Sequence, residues 1–151
     1  MKASLFVMCD RATVREGLLH ILGAGVNRLG RPSLPAALGV DLAVLLIPDR
    51  FEELPGQHQV SVVVRDEAET GIAGVQFGLG FGSVDEQLDP LPNIPLSVPL
   101  QNVGITDYGF YSVSIEYDDQ LISQLRFVVE KEIPPGATEM ISDVGLPPAM
   151  A

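Results

Sequence analysis

Asp107-Tyr108-Gly109-Phe110-Tyr111-Ser112-Val113-Ser114-Ile115-Glu116-Tyr117 is a turn that runs straight into a strand of strict period-two alternation. Tyr111, Val113, Ile115 and Tyr117 fall on one side, and Ser112, Ser114 and Glu116 on the other. Such alternation places the first set on a buried face and the second toward solvent. Asp107, Gly109 and Tyr111 add a positional signal. A Tyr two residues after a Gly at the mouth of such a strand has the arrangement of a tyrosine corner, whose hydroxyl reaches back to upstream backbone and pins a β-sandwich connection.

The same strand predicts a hairpin with Leu121 to Glu130 across Asp118-Asp119, with Leu125, Phe127 and Val129 opposing the inward set. Upstream, short apolar runs are punctuated by Gly, Pro and acidic clusters, the all-β signature. Strands are predicted at Ser4 to Cys9, Leu18 to Leu29, Gly39 to Ile47, His58 to Asp66, Gly71 to Gly82 and Leu96 to Val103. Gly39 to Ile47, apolar on both faces apart from Asp41, should be central in its sheet. Pro99 lacks a donor and marks the strand that carries it as an edge or a bulge. Thr13 to Gly17 reads as a turn or short helical segment, and Ala12 to Leu22 has a helical alternative with a cap at Asp10. The expected fold is all-β: an immunoglobulin-like or C2-like antiparallel β-sandwich of about eight strands. Residues 1–132 form the domain, and 133–151, bracketed by Pro134-Pro135-Gly136 and Pro147-Pro148, read as a flexible C-terminal tail.

Composition narrows function by exclusion. Hydrophobic residues make up 46% and charged residues 19% of the 151, so the chain is built to bury a core. Nine Lys and Arg against 20 Asp and Glu give a net charge of −11, which repels phosphate backbones and anionic headgroups. Nucleic acid and membrane are therefore not expected partners. The apolar run before Cys9 is too short for a signal peptide, and no later run approaches the roughly 18 apolar residues that span a bilayer. Cys9 is alone, so no intrachain disulfide can form, which favours a reducing, cytoplasmic compartment.

Catalytic and cofactor motifs are not found. His20, His58 and Cys9 have no spacing that builds a zinc site or a Cys-His pair. Gly23-Ala24-Gly25-Val26-Asn27-Arg28 puts Arg where a dinucleotide fingerprint needs its third Gly. Calcium binding by Asp118 and Asp119 with Asp49 or Asp10 would require these carboxylates to converge. Asp85 and Asp89 are loop carboxylates without a nameable partner. No catalytic residue, metal or cofactor is expected.

The second Gly-rich segment carries more. In Gly71 to Gly82 the residues Ala73, Val75, Phe77, Leu79 and Phe81 share one face, while Gly74, Gln76, Gly78, Gly80 and Gly82 share the other. A row of glycines leaves a flat strip where another backbone or ligand can lie close. It is either an interface or a bed for this chain's own Pro-rich loop or tail. The expected function is a non-enzymatic protein-binding or assembly module, self-associating through a sheet edge and this face. The alternative is a small-molecule or carbohydrate-binding accessory domain with Tyr108, Phe110 and Tyr117 as aromatic contacts.

Lys2-Ala3-Ser4-Leu5-Phe6, Cys9-Asp10, the run from Arg15 to Gly23, Gln101-Asn102-Val103 and the closing hairpin resemble a family of small single-domain bacterial proteins of unassigned function. The similarity covers most of residues 2–130. It implies a standalone β-sandwich and transfers no catalytic residue. The Asp-x-Gly-x-Tyr pattern also resembles immunoglobulin domains, with the departure that Val113 stands where their second Cys would be and there is no Trp.

Overall fold

Alternating apolar and polar residues, broken by left-handed turn residues, organise the chain into β-strands throughout residues 1–132, which the computed structural model describes. Eleven strands are formed there. They are β1 (Lys2–Arg15), β2 (Leu18–Ala24), β3 (Arg28–Arg31), β4 (Ala36–Ala37), β5 (Asp41–Ile47), β6 (Gly56–Arg65), β7 (Gly71–Phe81), β8 (Ile94–Pro99), β9 (Gly104–Ile105), β10 (Gly109–Tyr117) and β11 (Gln120–Lys131). A single 3₁₀ turn, Phe51–Glu53, precedes β6. No helix among the described residues is long and apolar enough to cross a membrane.

The strands form a four-stranded sheet in the order β2-β1-β5-β8, a five-stranded sheet in the order β3-β11-β10-β6-β7, and a small β4-β9 pair. One core joins the two large sheets. Met8, Leu42, Val44, Leu46, Leu96 and Val98 of the first pack in one cluster with Val60, Val62, Val64, Val113, Ile115, Phe127 and Val129 of the second. A second cluster of Cys9, Ala12 and Ala43, flanked by Val7, Leu19 and Ile21, covers the other face of the four-stranded sheet. That is why β5 tolerates apolar residues on both faces: it lies between β1 and β8 with both sides covered.

Asp41, the exception in β5, is 7% exposed and committed to structure. Its carboxylate accepts from the Ala12 amide at 2.9 Å and from the Gln101 side chain at 3.3 Å. The β1–β5 ladder ends at Cys9 and Asp41, so the Ala12 amide has left that ladder. The carboxylate takes the place of the missing carbonyl.

The hairpin expectation holds. Tyr111 stands opposite Phe127, Val113 opposite Leu125 and Gly109 opposite Val129. Asp118 and Asp119 both have positive φ, 48° and 65°, as a two-residue turn that follows the strand twist requires. Pro99 does sit on an edge strand, β8.

Several expectations are corrected. The strand count is eleven among the described residues rather than about eight, because short elements such as β4 and β9 pair without a clear hydrophobic period. The helical alternative for Ala12 to Leu22 is replaced by β1, a turn at Glu16-Gly17 with φ of 54° and 75°, and β2. Hairpin pairing of Arg11 to Arg15 with Leu18 to Leu22 outweighs the local helix formers of that segment. Leu18 to Leu29 is two strands in different sheets, divided at Gly25 to Asn27, where the Gly25 and Val26 amides both donate to the Met8 carbonyl. The sheets are also not wholly antiparallel, since β3 runs parallel to β11. The expected tail, residues 133–151, lies outside the described residues.

Candidate functional site

Strand β7 forms one edge of the five-stranded sheet, and β6 is its only strand partner among the described residues. Its eleven residues contain no charge and no proline. Edge strands are ordinarily blunted by Lys, Pro, a bulge or a covering loop; here a register shift near Arg65 and Gly71 disturbs only the N-terminal end. Ala73, Val75, Phe77, Leu79 and Phe81 point inward and pack against the core while remaining only partly buried. Their apolar surface is left incomplete at the rim.

On the outward face, Gly74, Gln76, Gly78, Gly80 and Gly82 are all exposed. A Cβ added to Gly74 would touch only the Val62 carbonyl oxygen at 3.6 Å, one on Gly78 only that of His58 at 3.8 Å, and one on Gly82 nothing within 4 Å. Gly80 alone is crowded, by the flexible end of Gln57. The Pro-rich loop therefore does not cover this strip, and the tail that could do so lies outside the described residues. A shallow trough of about 660 Å³ runs here, with Gly78 in its floor and Gln57, Gln59, Gln76 and Asp118 around it. The Gln59 side-chain amide donates to the Gln76 side-chain oxygen at 3.3 Å.

The trough ends on a pair that no local sequence pattern joins, His58 and Asp118. His58 Nδ1 donates to Asp118 Oδ2 at 2.6 Å, and Nε2 donates to the Leu54 and Pro55 carbonyls, each at 3.0 Å. Both ring nitrogens face only acceptors, an arrangement that favours the doubly protonated cation over either neutral tautomer. It stacks on Tyr117, centroids 5.0 Å apart at 21°, and tilts against Phe81 at 5.9 Å. Burial pulls the His58 pKa down, but the Asp118 carboxylate and the two carbonyls outweigh it and raise the value above normal. The hydrogen bond from His58, with a second from the Gln59 amide, lowers the Asp118 pKa. The Asp118 partner is 60 positions away, and no local pattern announces such a pairing.

Of the three aromatic contacts expected for a ligand site, the structure brings two together. Tyr108 and Phe110 are exposed at 40% and 42%. They line a cleft of about 490 Å³ with Asp66, Glu67, Ile72 and Asp107. The Arg126 guanidinium lies over the Phe110 ring at 3.9 Å. That contact follows from register: Phe110 pairs with Val128, so Arg126 is its diagonal neighbour on the same face. Tyr117 is not part of this cleft. It is buried, its hydroxyl donates to the Glu53 carbonyl at 2.9 Å, and burial foremost, with Asp118 and Glu53, pushes its pKa up to about 12.

At the start of β10 the Tyr111 side chain reaches back to the backbone at Asp107. The Tyr111 hydroxyl donates to the Asp107 carbonyl at 2.6 Å, its ring stacks on Phe127, and Gly109 adopts φ of 141°. Cys9 is fully buried, and burial, with Asp41 and Asp10 nearby, raises its pKa, so the thiol is a core group. The carboxylates considered for calcium do not converge. Asp118 holds His58, Asp49 pairs with the Met1 amine and Lys2, and no group of three or more candidate ligands occurs among the described residues. Asp85 accepts from the Gln87 amide at 2.9 Å, a turn role. His20 is exposed on β2.

No curated protein matches the chain. The sequence model of DUF6941, a family of unknown function, matches residues 4–130, and the chain belongs to that family.

Proposed function

We propose that this chain is a non-enzymatic protein-binding or assembly module that engages an extended segment of a protein, a second copy of itself in the simplest case, along β7. The observation that carries this is a long edge strand without charge or proline, whose inward side chains are incompletely buried and whose outward face is open. Main-chain donors and acceptors along such an edge supply affinity for any added strand, and the flat glycine strip imposes no side-chain obstacle. Acidic loops and a net charge of −11 accompany it, which fits a protein partner better than nucleic acid or an anionic membrane.

Two sheets sharing one core, with the Tyr111 hydroxyl on the Asp107 carbonyl, support an immunoglobulin-like sandwich with a tyrosine corner, from which the parallel β3 departs. The single buried Cys9 is in keeping with a reducing, cytoplasmic setting. Light scattering of the full chain across a wide concentration range tests the self-assembly form of the proposal. A mass that rises with concentration is expected, and a constant monomer mass would refute it.

The second reading, a small-molecule or carbohydrate-binding domain, is favoured by the Tyr108 and Phe110 cleft. Calorimetric titration with oligosaccharides, repeated on Phe110→Ala, separates it: heat that vanishes on substitution would favour this reading over the first.

A further inference from the structure

We infer that two copies of this chain pair antiparallel along β7, across a two-fold axis at Gln76, joining their five-stranded sheets into one continuous sheet. The inference rests on the assembly reading above and specifies its geometry. Gln76 is the midpoint of Gly71–Phe81. An axis there sets Gln76 opposite itself, Val75 opposite Phe77, Gly74 opposite Gly78 and Ala73 opposite Leu79. Residues directly opposite in an antiparallel pair share a face, so this register keeps the exposed row on one side and the inward row on the other. On the inward side each bulkier residue meets a smaller one, which lets the second copy complete the partly buried rim of Val75, Phe77 and Leu79. On the outward side Gly74 and Gly78 leave the centre free for the two Gln76 amides. Each amide keeps its NH₂ donors available, since its oxygen is the atom used by Gln59, and a primary amide facing its own copy can both donate and accept.

Charge does not oppose a second copy at this place. Thr70 to Val84 is uncharged, bracketed by Glu69 and Asp85, in a chain whose net charge is −11. Two such chains repel over most of their surface. Here the long uncharged window lets them approach, and strands of this length supply on the order of ten main-chain hydrogen bonds. The acidic brackets sit at both ends of the shared ladder, so added salt should tighten association several-fold by screening them.

Disulfide trapping of the full chain tests the register. Directly opposed residues have Cα atoms about 4.5–5.5 Å apart, within disulfide reach, and Cys9 is fully buried and does not compete. Gln76→Cys should therefore form a covalent dimer under mild oxidation, whereas Ile72→Cys, whose copy lies eight residues along the ladder, should not. Both positions are exposed on the wild-type surface, and circular dichroism of each variant checks that it folds. A dimer by light scattering that fails to cross-link at Gln76→Cys, or that cross-links equally at Ile72→Cys, overturns this geometry while leaving self-assembly standing. A monomer at every concentration and salt overturns both.

Discussion

Replacing Asp118 by Asn isolates the charge in the contact that ties the β10–β11 turn to β6. Asn tolerates the left-handed conformation that Asp118 adopts, φ 48°, and its side-chain oxygen can still accept from the Gln59 amide, now at 2.9 Å from Asp118 Oδ1. What is lost is the carboxylate facing the His58 imidazolium at 2.6 Å. A charge-assisted hydrogen bond is worth about 1.5–3 kcal/mol. The Asp118 side chain is 47% exposed, so solvent screening brings the expected loss down to about 1 kcal/mol, or roughly 3–5 °C in Tm for a domain of this size.

The sign of the pH dependence follows from the direction of each shift. His58 has its folded pKa raised above the usual 6.5, so its stabilisation is full below the unfolded value and disappears as pH rises through the raised folded value. Asp118 has its folded pKa lowered below 3.8, so its contribution is present above the unfolded value and lost as acid titrates it. The contact is complete from about pH 4.5 to 6.5. Urea denaturation of wild type and Asp118→Asn at intervals from pH 5 to 9 should show a gap of about 1 kcal/mol at pH 5.5 that closes toward pH 9. A gap that stays constant across that range would refute the doubly protonated assignment, because a neutral His58 has no charge to lose.

Three further outcomes test the framework around the candidate surface. Tyr111→Phe keeps the ring stacked on Phe127 and loses only the hydroxyl that donates to the Asp107 carbonyl; chemical denaturation should record a loss of about 1 kcal/mol. Asp41→Ala strands the Ala12 amide in a buried position and should cost about 2–3 kcal/mol, whereas Asp41→Asn, which retains an acceptor, should cost clearly less in the same measurement. Asp119→Gly relieves a positive φ of 65° at the second turn position and should raise stability by about 0.5–1 kcal/mol, read as a higher Tm.

The all-β class, the closing hairpin, the edge position of the Pro99 strand and the two faces of β7 were legible in the sequence, because each is a local consequence of period two and turn chemistry. Val60, Val62 and Val64 are buried where their alternation places them, and Ala73 to Phe81 face the core as expected. Strand number and the change of sheet at Gly25 to Asn27 were not legible; Gly23-Ala24-Gly25 signals only a bulge or bend there. A strand that leaves one sheet for another keeps the same hydrophobic period, and only the partner it finds reveals the crossing. The aromatic residues of the expected ligand site, Tyr108 just before β10 and Phe110 and Tyr117 within it, split by the phase of the alternation, which the sequence already carried. Tyr108 and Phe110 reach solvent, while Tyr117, on the inward phase of the same strand, is consumed by the core and the Glu53 carbonyl.

What the sequence determined by itself is therefore the pattern each segment imposes on its own faces: which side chains turn inward, where the chain must bend, and that residues 70–84 carry no charge. Tertiary structure alone decided that this uncharged segment is an outer strand with no strand partner along one side among the described residues, and that His58 meets Asp118 from 60 positions away. Side-chain alternation is set by backbone geometry within a strand, whereas strand order depends on which ladders close over one shared core, a competition among segments distant in the chain.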